Sequence, residues 1–183
     1  MNSQNNSVDQ NSNFKKNEQK FNIIFVCTGN TCRSCMAEGL FRAFSQQEEA
    51  LKGAVVASRG IQAFDGEAAS EHSITALKKL WNIDISIHKA KILGKRDMDT
   101  SDLILTMTRQ HRDFLRSSFP EKGDDIFTLK EYAYQKLPAD TSAVDITDPF
   151  GMPYQSYETC AKEIYDCVLQ VIKKLSSNSE NVL

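Results

Sequence analysis

The amino-acid sequence predicts an α/β protein: a single doubly wound domain, with a four-stranded parallel sheet and helices on both faces. Three observations lead there. Phe21–Val26 is apolar almost throughout, the pattern of a strand covered on both sides. Segments with helical spacing alternate with further short apolar runs, as βαβ units require. The 183 residues, 40% hydrophobic and 25% charged, suffice for one ordinary domain with a core of its own.

Residues 1–20 are rich in Asn, Gln and Ser and nearly free of large apolar side chains, so a disordered polar tail is expected there. The domain is expected over residues 21–175, with 176–183 a flexible tail. After the first strand, Glu38–Leu51 has helical spacing, with Leu40, Phe41 and Phe44 along one side. "AVVAS" (54–58) reads as the second strand and precedes Gly60. "ASEHSITALKKLW" (69–81) reads as a helix with Ile74, Leu77 and Leu80 or Trp81 inward, and Asn82 suits a left-handed stop. "DLILTM" (102–107) is the third strand, followed by a helix from about Arg109 to Ser117, and "DIFTL" (125–129) is the fourth. The last helix, about 155–175, carries Tyr157, Cys160, Ala161, Ile164, Cys167, Val168, Val171 and Leu175 on one stripe.

Composition narrows the function classes. The net charge is −2 and no basic stripe is present, which speaks against a nucleic-acid or acidic-membrane partner. No apolar run approaches the roughly 20 residues of a membrane span. The first 20 residues lack the apolar centre of a signal peptide. A cytoplasmic monomer is expected. The five cysteines, at 27, 32, 35, 160 and 167, are odd in number and crowded at one place, unlike a secreted disulfide framework.

That crowded place carries the chemistry. Cys27-Thr28-Gly29-Asn30-Thr31-Cys32-Arg33-Ser34 directly follows the first strand, where ligands of a parallel sheet sit. A cysteine, five residues, an arginine and a hydroxyl suit a phosphate. Gly29 and Asn30 tolerate the left-handed backbone that turns N–H groups inward, and such a nest closed by a helix N-terminus binds an anion. Arg33 offers a planar fork to two phosphate oxygens. The same field favours a thiolate at Cys27, a ready nucleophile, to which Ser34 can donate a hydrogen bond. A nucleotide-binding loop is a poor rival, because the lone Gly94-Lys95 is followed by Arg96 and has no glycine at 89. A leaving group needs a proton donor, and Asp148-Pro149 is the best candidate, since proline stiffens the loop that holds the carboxylate. Asp145 and Asp140 are nearby rivals.

The segment resembles the low-molecular-weight protein tyrosine phosphatase family. The likeness extends in register over about 21–175, through Ala37-Glu38, "SRG" (58–60), "DLILTMTRQH" (102–111) and "DPFG" (148–151). Within the family it is most similar to bacterial protein arginine phosphatases, which carry "CTGNTCRS" here and "FTLKEY" (127–132) before the acid loop. The resemblance implies a protein phosphatase acting on phosphorylated proteins through a phosphocysteine at Cys27. Arg33 and the loop residues Thr28, Gly29, Asn30, Thr31, Cys32 and Ser34 would hold the phosphate, and Asp148 would be the acid and base. Threonine at position 31 is the marker for phosphoarginine, where tyrosine-specific relatives usually have an aliphatic residue. Phe64 and Phe150 are candidate pocket walls. No metal or cofactor is expected. One departure is Cys35, where the family generally has proline, which puts the rigidity of the helix start in question.

Other readings compete. A tyrosine phosphatase of the same fold is one. Cys32-Arg33-Ser34-Cys35 is also a Cys-x-x-Cys at a helix start, the signature of a thiol oxidoreductase, although that leaves Cys27, Gly29 and Asn30 unexplained. Cys32 is a candidate redox partner that traps an oxidised Cys27 as a disulfide. Related arsenate reductases use a cysteine pair spaced like Cys160 and Cys167, but here both fall on an apolar stripe and read as core. A zinc site at Cys27, Cys32 and Cys35 lacks a second ligand pair. His72, His88 and His111 are scattered and read as surface or cap residues.

Overall fold

The computed structural model of the protein describes residues 20–134 and 142–179. Asp140, residues 1–19 of the tail expected over 1–20 and residues 180–183 of the tail expected over 176–183 lie outside the described residues. Four strands, β1 (Asn22–Cys27), β2 (Val55–Gly60), β3 (Leu103–Thr106) and β4 (Ile126–Thr128), form one parallel sheet in the order β2-β1-β3-β4. Both faces are covered. Ile23, Phe25 and Cys27 of β1 face one core and Ile24 and Val26 the other, the alternation a pleated strand imposes. The larger core takes α1 (Arg33–Ser45), α2 (Glu71–Trp81) and α6 (Tyr154–Ser179). The smaller one takes Met98 of α3 (Lys95–Thr100) and Leu115 of α4 (Arg109–Ser118). α5 (Leu129–Ala133) follows β4 and packs on α6. The sheet order reverses between β1 and β3, so the loops leaving their carboxyl ends open onto one crevice.

Differences from the expected boundaries have physical causes. α1 begins at Arg33, five residues before the apolar pattern starts, because its first turn buries the polar Arg33 and Ser34 along with Cys35 and Met36 and so shows no amphipathic spacing. It stops at Ser45, and Leu51 reaches the core from a separate short 3-10 turn, Glu49–Leu51. α3 was not expected, since Met98 is the one buried side chain in a polar hexapeptide and sets up no periodicity. It is started instead by Asp97, whose carboxylate accepts the Gly94 N–H at 2.9 Å. α5 was also not expected, yet "FTLKEY" encodes its start. Thr128 Oγ1 accepts the Glu131 N–H at 3.1 Å and Glu131 Oε2 accepts the Thr128 N–H at 2.9 Å, a reciprocal capping box. Asn82 ends α2 with φ 56°, the left-handed stop that was expected. α6 continues to Ser179, into the segment read as a tail.

Candidate active site

Cys27 is the last residue of β1, and its side chain is buried. The loop turns at Asn30, whose φ is 58°; Gly29, expected to share that conformation, does not adopt it. The turn aims the Asn30 N–H at Cys27 Sγ, 3.2 Å away. Ser34 Oγ lies 3.0 Å from the same sulfur. The Asn30 side-chain amide donates to Ser34 Oγ at 2.9 Å and to Ser58 Oγ at 2.8 Å. The Ser34 hydrogen is thereby left for the sulfur or for the more distant Arg59 carbonyl at 3.4 Å, and an anionic sulfur draws it. Ser58 donates onward to Glu38 Oε2 at 2.6 Å, and the Lys91 N–H donates to Asn30 Oδ1 at 2.9 Å. Every donor and acceptor of the buried Asn30 side chain is used, which locks the loop. Gly60, ending β2, makes room for this packing: a Cβ there would stand 2.6 Å from the Thr28 carbonyl oxygen.

Two histidines correct the surface reading. His88 Nε2 lies 2.8 Å from the Asn30 carbonyl oxygen, and His111 Nε2 lies 2.9 Å from Thr28 Oγ1. Both brace the loop from outside its sequence. Burial and then the Arg33 charge push the His111 imidazole down to about 4, against the opposing pull of Asp148 and Asp145. His72 is exposed on α2, its ring against Tyr157, as a surface role predicts.

Arg33 is 4% exposed and pairs with Asp148, which is 48% exposed. Asp148 is carried there by a tie to β3. The Ile146 N–H donates to the Met107 carbonyl at 2.8 Å, and the Ile146 carbonyl accepts from Arg33 Nη1 at 3.3 Å. Asp148 Oδ1 accepts the Phe150 N–H at 3.1 Å, which stiffens the turn after it. Of the rivals, Asp145 faces elsewhere and accepts the Arg109 N–H at 2.5 Å at the start of α4.

The five cysteines are free and buried. Cys32 Sγ lies 3.5 Å from Ser70 Oγ and 3.8 Å from Tyr157 Oη. Cys35 donates to the Cys32 carbonyl at 3.0 Å, so the position that is generally proline in the family keeps a tie across the first turn. Burial pushes the Cys35 thiol well up, as do nearby Cys27 and Cys32, which disfavours it as half of a Cys-x-x-Cys redox pair. Cys160 and Cys167 are core residues of α6; burial raises both thiols, Cys167 to about 12. Among the described residues, no group of three His, Cys, Asp or Glu side chains is placed to hold a metal ion.

A cavity of about 280 Å³ is lined by Cys27, Thr28, Gly29, Thr31, Cys32, Arg33 and Asp148, with Phe64, Phe150, Gln62 and Glu67. Phe64 and Phe150 are 80% and 74% exposed, so they stand as rims rather than packed core aromatics. Asn30 and Ser34 sit behind this lining, fully buried. An anion entering the cavity meets the sulfur, the Arg33 guanidinium and the Asp148 carboxylate together. A larger open cleft of about 650 Å³, between α1 and residues 83–91, touches Cys35 and Glu38 but not Cys27. His88, His111, Gln62 and Glu67 were missed as site residues: His111 ends the segment 102–111 and Gln62 and Glu67 flank Phe64, but nothing in their spacing pointed to the loop. Ser58 and Glu38 stood within the segments that carry the family resemblance, with no role attached.

The chain matches the profile of the low molecular weight phosphotyrosine protein phosphatases over residues 22–181. It is 36% identical to a protein-arginine-phosphatase of Bacillus subtilis over 85% of this chain and 97% of that one. It is 37% identical to a low molecular weight protein-tyrosine-phosphatase, PtpB, of Staphylococcus epidermidis over 80% of this chain and 93% of that one. Among solved structures, an arginine phosphatase of Geobacillus stearothermophilus superposes with a TM-score of 0.78 at 34% identity, covering 89% of this chain and 97% of that one. A low molecular weight protein tyrosine phosphatase of T. tengcongensis does so with a TM-score of 0.75 at 41% identity, covering 85% and 99%. With the profile spanning the whole described fold, the chain belongs to the low molecular weight phosphotyrosine protein phosphatase family.

Proposed function

We propose that the protein is a protein arginine phosphatase that works through a phosphocysteine at Cys27. The observation that carries the reading is one cavity shared by Cys27, Thr31, Arg33 and Asp148. Cys27 attacks phosphorus in line, forming the S–P bond as the P–N bond to the guanidino nitrogen breaks. Arg33 and the loop amides hold the equatorial oxygens and their growing charge. Arg33 pairs with Asp148. An incoming phosphoryl group competes for the guanidinium and releases that carboxyl to carry a proton. Asp148 then protonates the leaving nitrogen. In the second step water attacks phosphorus, Asp148 takes its proton, the S–P bond breaks, and inorganic phosphate and the Cys27 thiolate are restored.

Support for phosphoarginine over phosphotyrosine comes from Thr31 on the cavity wall and from the arginine phosphatases among the relatives. A hydroxyl there accepts from guanidino N–H groups or positions water, whereas a β-branched aliphatic residue favours a flat aromatic ring. The test compares phosphoarginine and phosphotyrosine peptides on wild type and Thr31→Ile, with Cys27→Ser as the blank. Wild type should favour phosphoarginine, Thr31→Ile should swing the ratio towards tyrosine by about tenfold, and Cys27→Ser should release no phosphate. An unchanged ratio in Thr31→Ile removes the basis of the substrate choice, and full turnover in Cys27→Ser removes the nucleophile.

A further inference from the structure

We infer that Glu67 is a specificity-determining residue: its carboxylate, with the Phe64 ring beside it, receives the cationic guanidinium of the substrate. The inference rests on the phosphoarginine reading and deepens it. Its motive is an electrostatic oddity. The cavity that holds Cys27 and Arg33 is built for an anion, yet Glu67 lines it too. Among the described residues no side chain pairs with that carboxylate. Towards an aryl phosphate such a group does nothing but repel. A phosphoarginine differs, because its guanidinium stays protonated next to the phosphoryl group and turns N–H donors away from it. A carboxylate on the wall accepts those donors in the planar fork geometry that guanidinium and carboxylate share.

The backbone holds Glu67 in place for this. Phe64-Asp65-Gly66-Glu67 is a tight turn closed by the Glu67 N–H on the Phe64 carbonyl at 3.2 Å. Gly66 has φ 90°, the third-position conformation of a type II turn that glycine adopts without strain. Three further bonds staple the turn to residues 90–92. The Gly66 N–H donates to the Ala90 carbonyl at 2.9 Å, the Ala90 N–H to the Glu67 carbonyl at 2.7 Å, and the Ile92 N–H to Asp65 Oδ1 at 2.7 Å. The turn therefore sets Phe64 and Glu67, its first and fourth residues, side by side on the cavity wall. Phe64, 80% exposed, offers a ring face to a planar cation while Glu67 takes its edge. The pair acts in both directions, attracting the guanidinium and penalising a purely anionic competitor.

The experiment measures kcat and KM for phosphoarginine and phosphotyrosine peptides of one sequence on wild type, Glu67→Gln and Glu67→Asp. Glu67→Gln should raise KM for phosphoarginine about tenfold with kcat little changed, the effect of one charge-assisted contact made by an exposed side chain. KM for phosphotyrosine should stay level or fall, and Glu67→Asp should lie between. None of the turn's hydrogen bonds uses the Glu67 side chain, so melting temperatures should agree among the three and serve as the folding control. Equal changes on both substrates, or none, overturn the role of Glu67 while leaving the Thr31 reading standing. A wild type that does not hydrolyse the phosphoarginine peptide sinks both.

Discussion

His111 couples the loop to pH, and the size of that coupling can be worked out. Its Nε2 lies 2.9 Å from the Thr28 hydroxyl, the charges of Arg33 and Asp148 act on the ring, and its buried Nδ1 has no hydrogen-bond partner among the described residues. Burial first, then the neighbouring guanidinium, lower it from 6.5 to about 4. A depressed histidine resists protonation in the fold but not in the unfolded chain. As pH falls below about 7.5 the unfolded state takes up a proton that the native state refuses, so stability is lost, and the loss levels off below about pH 4. Linkage with these two values gives a loss of about 2 kcal/mol at pH 5 and about 3 kcal/mol at the limit. The residue is half-buried, so solvent screens the effect and about 1–2 kcal/mol at pH 5 is the expected figure. The perturbation is His111→Gln, which can keep an amide on Thr28 without a titrating group. Urea unfolding of both proteins at steps from pH 7.5 to 5 supplies the free energies. His72 and His88 are common to both and cancel in the difference. Wild type should lose about 1–2 kcal/mol more than the variant over that range. Parallel pH slopes would refute the reasoning, since they would mean that His111 protonates as readily in the fold as outside it.

Two further outcomes test other parts of the frame. Ser34→Ala removes the hydroxyl 3.0 Å from Cys27 Sγ and leaves the Asn30 amide short of one acceptor. Turnover of an aryl phosphate should fall about 10- to 100-fold with KM within about twofold, and an unchanged kcat would show that the hydroxyl does not stabilise the thiolate. Glu131→Gln weakens the buried pair with Arg112 and the cap on Thr128, but Arg112 keeps Asp113 as a second partner. About 2 kcal/mol and roughly 4–8 °C in melting temperature should be lost. A shift under about 1 °C in calorimetry would mean that the pair is no better than its desolvation cost.

What could be read in the residues, and what could not, follows the range of each interaction. The strand that ends at Cys27, the cysteine-to-arginine spacing and the Asp-Pro turn are local patterns, and the structure brings Cys27, Arg33 and Asp148 to one cavity. Apolar stripes marked the long helices, while α3 and α5 begin with side-chain caps that leave little periodicity to read. The bracing residues are the opposite case. Asn30 meets Ser58, Lys91 and His88, which stand 28, 61 and 58 positions away, and Thr28 meets His111 across 83. Nothing local distinguishes those partners from surface residues of the same type. Their placement follows from the reversal of strand order between β1 and β3, which delivers the ends of β2 and β3 to either side of the loop.

The division has a chemical consequence. Residues that would touch phosphate lie mostly in one short segment, so their spacing alone is constrained by the ligand. The shape of that segment is held from outside, by the side chains of Ser58 in β2, of His88, and of His111 in α4, and by the backbone N–H of Lys91. Asn30 presents its N–H to the Cys27 sulfur, and its side chain uses three hydrogen bonds to keep that N–H there. The loop is thus held by protein groups alone. Such preorganisation is what lets fixed dipoles lower a barrier rather than reorganise during it. By that argument the distant partners of Asn30 and Thr28 belong to the proposed reaction as much as the motif does, although they line no part of the cavity.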